Sequence, residues 1–234
     1  IAIIVSLAAV TGTLAYFTDQ VQTEGVVASG NLSIYQHEYE RVKENGVYTD
    51  KLQPYTQQQV IFPGSDVDKI VQIENAGKNI AYVRTFVAVP AYYAQDGSST
   101  EWISLNKNES STQWVWAENA IPNVKIDGKT YDVYYATNTV QLNPGDTTEP
   151  CLNGFHVSEQ VDHDGSRYTI KLANGEVVTL GEERDLTILV TSEASQAIVF
   201  EDAFEALDVS FGGTPAIDRH PWQEVVIVSS DAEL

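Results

Sequence analysis

Short runs of Val, Ile, Thr, Tyr and Phe, some alternating with polar residues and some continuous, recur between turn residues along most of this chain. A period of two and runs of four to ten residues are the mark of strands. The pattern predicts strands over Val26–Tyr35, Val67–Asn75, Ala81–Val89, Trp114–Trp116, Thr130–Ala136, Tyr168–Leu172, Val177–Leu180, Leu186–Thr191 and Val225–Ser229. Pro63-Gly64 and Pro144-Gly145 are tight-turn pairs, and Asn75-Ala76-Gly77 and Asp164-Gly165 are turn signals. Ile126-Asp127-Gly128-Lys129 and Ala173-Asn174-Gly175-Glu176 read as two-residue hairpin loops. A helical period occurs once, over Glu201–Phe211, where Phe200, Ala203, Phe204, Leu207 and Phe211 share a face and Gly212-Gly213 supplies the stop. Many short strands with turns between them predict an all-β fold: a two-sheet β-sandwich, jelly-roll-like, with one short helix near the C-terminus and long loops. No Pro-, Ser- or charge-rich linker divides the chain, so residues 28–234 are expected to form one domain.

The first fifteen residues, IAIIVSLAAVTGTLA, carry no charge. As a helix they would rise only about 22 Å, short of the roughly 30 Å of a bilayer's hydrocarbon core. They end in Thr13-Leu14-Ala15, small residues at the −3 and −1 positions of a signal-peptidase site. Residues 1–15 are therefore read as the apolar region and cleavage site of a signal peptide, cut between Ala15 and Tyr16. The competing reading is a buried element of the domain. The chain contains no Met, and the basic region that precedes such an apolar stretch is missing, so the sequence is read as lacking its natural start.

Composition narrows the partners. Thirteen Lys and Arg against 33 Asp and Glu give a net charge of −20, which repels nucleic-acid phosphates and anionic lipid. No nucleic-acid partner is expected, and membrane contact only through the uncleaved signal segment. One cysteine, Cys151, allows neither an intrachain disulfide nor a Cys-based zinc site.

Three stretches carry a family likeness. Gly12-Thr13-Leu14-Ala15-Tyr16-Phe17-Thr18-Asp19 followed by Val27-Ala28-Ser29-Gly30-Asn31-Leu32-Ser33-Ile34, then Phe62–Gly77 with Ala81-Tyr82-Val83-Arg84, then Thr191–Ala197 with Ala206–Gly212, appear in that order. Together they resemble the TasA/camelysin family of exported proteins, whose signal peptides are cut by the SipW type of signal peptidase. The stretch from Pro90 to Asp185 matches only loosely. The resemblance implies a secreted jelly-roll subunit of extracellular biofilm-matrix fibres, found in the matrix or at the cell surface, with other copies of itself as partner. It implies that the freed N-terminal segment serves as a donor strand for a neighbouring subunit. Residues 16–27 fit: they are polar, contain Gly25, lack a hairpin partner, and offer Tyr16, Phe17, Val21, Val26 and Val27 for burial. Such a strand is complementary to an open sheet edge. The competing reading is an ordinary first strand.

Camelysin is described as a metalloprotease, so enzyme chemistry was sought in the residues. The four histidines, His37, His156, His163 and His220, form no His-Glu-x-x-His motif. No Gly-x-Ser-x-Gly elbow or phosphate loop occurs. Cys151 has no catalytic signature around it and reads as core packing. No catalytic residue and no enzyme activity are expected. Calcium is the one cofactor left open, with Asp162 and Asp164 spaced as in calcium loops but without the remaining ligands. Trp114-Val115-Trp116 puts two rings on one face of a strand, as a sugar-stacking platform or as core packing. A fibre subunit is therefore the leading expectation, a monomeric polysaccharide-binding sandwich the second, and a secreted protease the third.

Overall fold

The computed structural model describes residues 32–56, 63–163, 167–182, 187–198 and 200–222. Two five-stranded antiparallel sheets face each other as a β-sandwich. The first runs β2 (Val47–Pro54), β1 (Ile34–Glu44), β3 (Asp66–Asn75), β9 (Leu152–Val157) and β5 (Ile103–Lys107). The second runs β13 (Leu189–Gln196), β4 (Ala81–Pro90), β8 (Lys129–Asn138) and β6 (Trp114–Trp116), with β7 (Ile121–Ile126) also paired to β8. A small sheet of β10 (Val161–His163), β11 (Arg167–Lys171) and β12 (Val177–Glu182) closes one end, where Val161, Ile170, Leu172 and Leu180 join the main core beside Trp102.

Turn chemistry sets the hairpins. Asp127 and Gly128 both adopt positive φ (48° and 77°) and pair Ile126 with Lys129, a two-residue primed turn as expected. The loop joining β11 to β12 is longer than the two residues expected. Gly175 N–H donates to the Leu172 carbonyl at 2.9 Å and Leu172 N–H to the Glu176 carbonyl at 2.7 Å, so Ala173–Gly175 form a three-residue loop with Gly175 at φ 88°. β1 and β2 form a hairpin that the hydrophobic pattern does not announce, because IYQHEYERVKE is mostly charged or aromatic. Asn45 (φ 54°) and Gly46 (φ 81°) close it. The strand expected over Val26–Tyr35 meets the observed one only at Ile34 and Tyr35, its earlier residues lying largely outside those described. Residue 186 and the strand expected over Val225–Ser229 also lie outside the described residues. β5, β9 and β10 were not expected at all, being short or interrupted by Asn and Gly.

Every residue of β4 is buried, its inner side chains Ala81, Val83, Val87 and Val89 in the sandwich core and its outer ones under further cover. Phe86 and Ala88 pack with Ile121, Val124, Ile126, Tyr131, Val133, Leu189 and Trp222. Tyr82 packs with Ala197 and with Ala203, Ala206 and Leu207 of α1 (Ala203–Phe211). Asp202 caps α1 by accepting from Glu205 N–H at 2.9 Å, and Gly212, at φ 82°, ends it. The helix lies where expected, but Phe204 is 40% exposed and Ala206 takes its place against the sheet.

Gly154 in β9 marks a close approach. A Cβ there would lie 2.1 Å from the Val67 carbonyl oxygen, beside the register shift between Asp68 and Val71 of β3. Relief requires moving backbone of two central strands. Gly154→Ala is therefore expected to destabilise the fold by about 2–4 kcal/mol, read as a lower urea midpoint at unchanged slope.

Candidate functional site

A sandwich of open sheets has edges, and an unprotected edge is a template for pairing with another strand. Most edges of the two sheets are blunted. β2 is exposed, ends in Pro54, carries Asp50 and Lys51, and pairs with β1 through a register shift between Arg41 and Lys43. β5 has five residues and a register shift of its own, and β6 has three residues. β7 contains Pro122 and shifts register between Ile121 and Val124.

β13 is different. Its eight residues pair with β4 from Leu189↔Ala88 to Gln196↔Ala81 without a shift, and LVTSEASQ contains neither Pro nor Lys. Among the described residues no strand pairs with its other side. The Thr191 hydroxyl is buried, with no hydrogen-bond partner among the described residues. A buried hydroxyl without a partner costs roughly 1–3 kcal/mol.

The outer face of β13 is locked by charge. Arg84 of β4, 1% exposed, lies directly across from Glu193. Its Nε donates to Glu193 Oε1 at 2.7 Å and its Nη1 to Asp208 Oδ1 of α1 at 2.8 Å. Arg219 donates through Nε to the Phe211 carbonyl at 2.7 Å and approaches Glu193 Oε1 at 3.4 Å. Thr214 donates to Asp208 Oδ2 at 2.7 Å, and Ser195 bonds Ser210 at 2.7 Å. Burial pushes the Glu193 carboxyl above its ordinary range, the two guanidiniums pulling the other way. Partial burial works to raise Asp208 too, but the bonds from Arg84 and Thr214 outweigh it and hold that carboxyl below its ordinary 3.8.

The inner face of β13 meets a polar seam. Ser192 Oγ donates to Gln36 Oε1 of β1 at 2.8 Å and bonds Thr85 Oγ1 at 2.9 Å, while Gln36 Nε2 donates to the Val190 carbonyl at 3.3 Å. Further along the same side of β1, Gln36 Nε2 donates to Glu38 Oε1 at 3.0 Å, Lys69 of β3 pairs with Glu38, and the Lys69 ammonium lies 4.2 Å from the Tyr55 ring centre. Glu40 Oε1 accepts from Gln53 at 2.7 Å and Thr56 at 2.9 Å. These contacts place β13 over β1, and Lys107 of β5, 5.0 Å from the Trp116 ring centre, places β6 over β5. The first sheet thus extends one strand further, to β2, than the second does beyond β13 among the described residues.

The residues expected to carry function fall as follows. Ala15, Tyr16, Phe17, Val21, Val26 and Val27 lie outside the described residues, as does Asp164. Asp162 sits in β10 opposite Thr169, in a hairpin strand. Among the described residues no group of three or more His, Cys, Asp or Glu side chains could hold a metal ion. Trp114 and Trp116 do share a face, and it is the core face. Trp114 is buried with Nε1 donating to the Glu149 carbonyl at 2.8 Å, and Trp116 packs on the main core with its indole nitrogen buried. Cys151 is fully buried, which pushes its thiol up to about 12. His156 contacts Asp66 and His37 contacts Glu74, each at 2.8 Å, in separate pairs on the outside of the first sheet. The Arg84–Glu193–Asp208 network was not singled out from the sequence, although one signal was present. A lone Arg inside the apolar run AYVRTFVAVP has to meet an opposite charge once buried.

No family model, no curated protein and no solved structure matches the chain.

Removing Arg84 leaves Glu193 with only the more distant Arg219, so Arg84→Ala is expected to cost about 3–5 kcal/mol in urea unfolding. The pH sign follows from Asp208. A carboxyl lowered on folding contributes stability that is complete above its ordinary 3.8 and lost as pH falls through its folded value. Asp208→Asn should lower stability at pH 7 by about 1–2 kcal/mol and flatten the decline below pH ~4, both read from unfolding curves across pH.

Proposed function

We propose that the protein is a secreted structural subunit of extracellular fibres, polymerising when the N-terminal segment of one copy adds as a strand to an edge of the next. The observation that carries this reading is β13: an eight-residue edge strand in unbroken register, without Pro or Lys and without a second neighbour among the described residues. Natural sandwiches cover, charge or distort such an edge. In this chain the remaining edges of the two sheets are treated that way. Strand addition supplies affinity through main-chain hydrogen bonds of roughly 1 kcal/mol net each, and specificity through alternate side chains. The resemblance to TasA/camelysin proteins in the sequence supports the same reading. Cleavage between Ala15 and Tyr16 by a signal peptidase of the SipW type would free residues 16–27 for this use. The charge of −20 opposes close approach of copies, so assembly is favoured by salt.

The chain starting at Tyr16 should form fibres visible by negative stain. Val21→Pro with Thr23→Pro removes two ladder donors from the segment and leaves the sandwich untouched. That variant should keep its circular dichroism and unfolding midpoint yet remain monomeric by light scattering. Fibres formed equally well by parent and variant would remove the N-terminal segment from the account. Absence of fibres from the parent, at any salt concentration, would remove the fibre itself.

A further inference from the structure

Polar side chains in this chain mostly bond one another, as in the Arg84 network and the seam along β1. One place departs from that habit. The loop from β4 to β5, the turn from β9 to β10 and the end of β11 enclose a groove of about 700 Å³. Its lining is Ser99, Thr100, Gln160, Lys171, Leu172 and Ala173. The volume falls within the roughly 300–1,000 Å³ typical of small-molecule sites. Among the described residues, the side chains of Ser99, Thr100, Gln160 and Lys171 make no hydrogen bond or ion pair with the protein. Four uncommitted polar groups thus converge on one space.

The walls of the groove are held by bonds of their own. In the β4–β5 loop, Ala94 N–H donates to the Ser98 carbonyl at 2.8 Å, with Gly97 at φ 82° between them. Asp96 Oδ1 accepts from Ser98 N–H at 2.9 Å and from the Ser98 hydroxyl at 2.7 Å. Asn174, in the β11–β12 loop, donates to Asp96 Oδ2 at 3.2 Å and accepts from Glu176 N–H at 2.9 Å, which joins two of the walls. Ser158 fixes the third: its hydroxyl accepts from Gln160 N–H at 3.1 Å, and its own N–H donates to the Trp102 carbonyl at 2.8 Å. Leu172 is buried in the main core with Trp102, Val161 and Ile170 and anchors the apolar part of the lining. A site held in this way loses little entropy when it is filled.

The donors and acceptors in the lining select a class of ligand. Hydroxyl and amide groups both donate and accept, whereas an ammonium only donates. An anion would find one cation, Lys171, on a chain of net charge −20. The bonds from Ser98 and Asn174 also hold the Asp96 carboxyl below its ordinary 3.8, so the wall keeps its negative charge. A cation would find no carboxylate in the lining, and both oxygens of Asp96 are already engaged. A wholly apolar molecule would cover four polar groups without bonding any of them.

We infer that this groove binds a neutral pyranose sugar, whose hydroxyls bond Ser99, Thr100, Gln160 and Lys171 while a C–H face of the ring lies on Leu172 and Ala173. This goes beyond assembly. The groove is formed within one chain and needs no second copy, so it stands or falls separately from the fibre reading. It also moves sugar recognition away from Trp114 and Trp116, whose rings belong to the core.

Ligand-observed saturation-transfer NMR on the purified protein tests this, with methyl glucoside, N-acetylglucosamine and sodium glucuronate as probes. Each is used at about 10 mM, suited to a dissociation constant on the order of 1 mM. At least one neutral sugar should receive saturation, and glucuronate should bind at least fivefold more weakly. Thr100→Val and Gln160→Ala should each weaken binding about fivefold, the effect of one lost hydrogen bond. Asn106→Ala, on the exposed side of β5, should change it less than twofold. Neither groove side chain bonds the protein, so circular dichroism and the urea midpoint should match the parent in both variants. Either variant alone tests the groove if the other fails to fold. Saturation of neither neutral sugar overturns the inference. Undiminished binding in a folded groove variant puts the sugar elsewhere and also overturns it. Glucuronate bound as strongly as the neutral sugars overturns the ligand class.

Discussion

A guanidinium that is 1% exposed has given up nearly all its water, and it persists in a fold only where carboxylates replace that water. Arg84 meets this condition with Glu193 on the adjacent strand and Asp208 on the helix above. One side chain thereby ties β4 to β13 and α1, two elements that follow it in sequence by more than a hundred residues. The helix has no basic residue in its last turn, and its buried face is three small or medium residues, Ala203, Ala206 and Leu207. Its position over the sheet thus depends heavily on the charge network and on the Ser195–Ser210 bond.

That cover changes the character of the second sheet. In a plain sandwich the outer face of each sheet is wetted and its strands alternate in polarity. Here the helix at one end of the outer face and β7 with Trp222 at the other bury that face of β4 as the sandwich core buries its inner one, and the strand reads as a nearly continuous apolar run. β13 shares the cover. Its outer side chains Leu189, Glu193 and Ser195 are engaged by the aromatic cluster, Arg84 and Ser210 in turn. Among the described residues that strand has β4 as its one ladder neighbour, in register over all eight residues.

The interior is not uniformly apolar. Toward Ile103, Trp102 and the small third sheet it is packed with aliphatic and aromatic side chains. Toward β1 and β2 it becomes a set of paired polar groups, Gln36 with Ser192 and Glu38 with Lys69. Such pairs contribute less stability than apolar packing but tolerate few alternative arrangements, because a mismatch leaves buried groups unpaired. The acidic surface adds a second constraint, repulsion between copies that salt reduces.

Local pattern determined the elements whose signals are local. The runs that became β3, β4, β8, β11 and β12, the turns at Asp127-Gly128 and Pro144-Gly145, and the helix ended by Gly212 were legible because period, turn dihedrals and caps act within a few residues. The all-β class followed from their number and spacing. β1 beyond Tyr35 and all of β2 were not legible, since Arg41, Lys43, Glu44 and Lys51 look solvated until the pairing of Arg41 with Asp68 and Tyr48 brings them into a sheet. The Trp114–Trp116 spacing showed that both rings share a face but not that the face is the core, because that depends on which sheet lies opposite. The edges depend on tertiary structure most of all. Nothing within LVTSEASQ marks it as the last strand of its sheet among the described residues, for an edge is defined by the neighbour a strand lacks, and the neighbour it has comes from residues a hundred positions away.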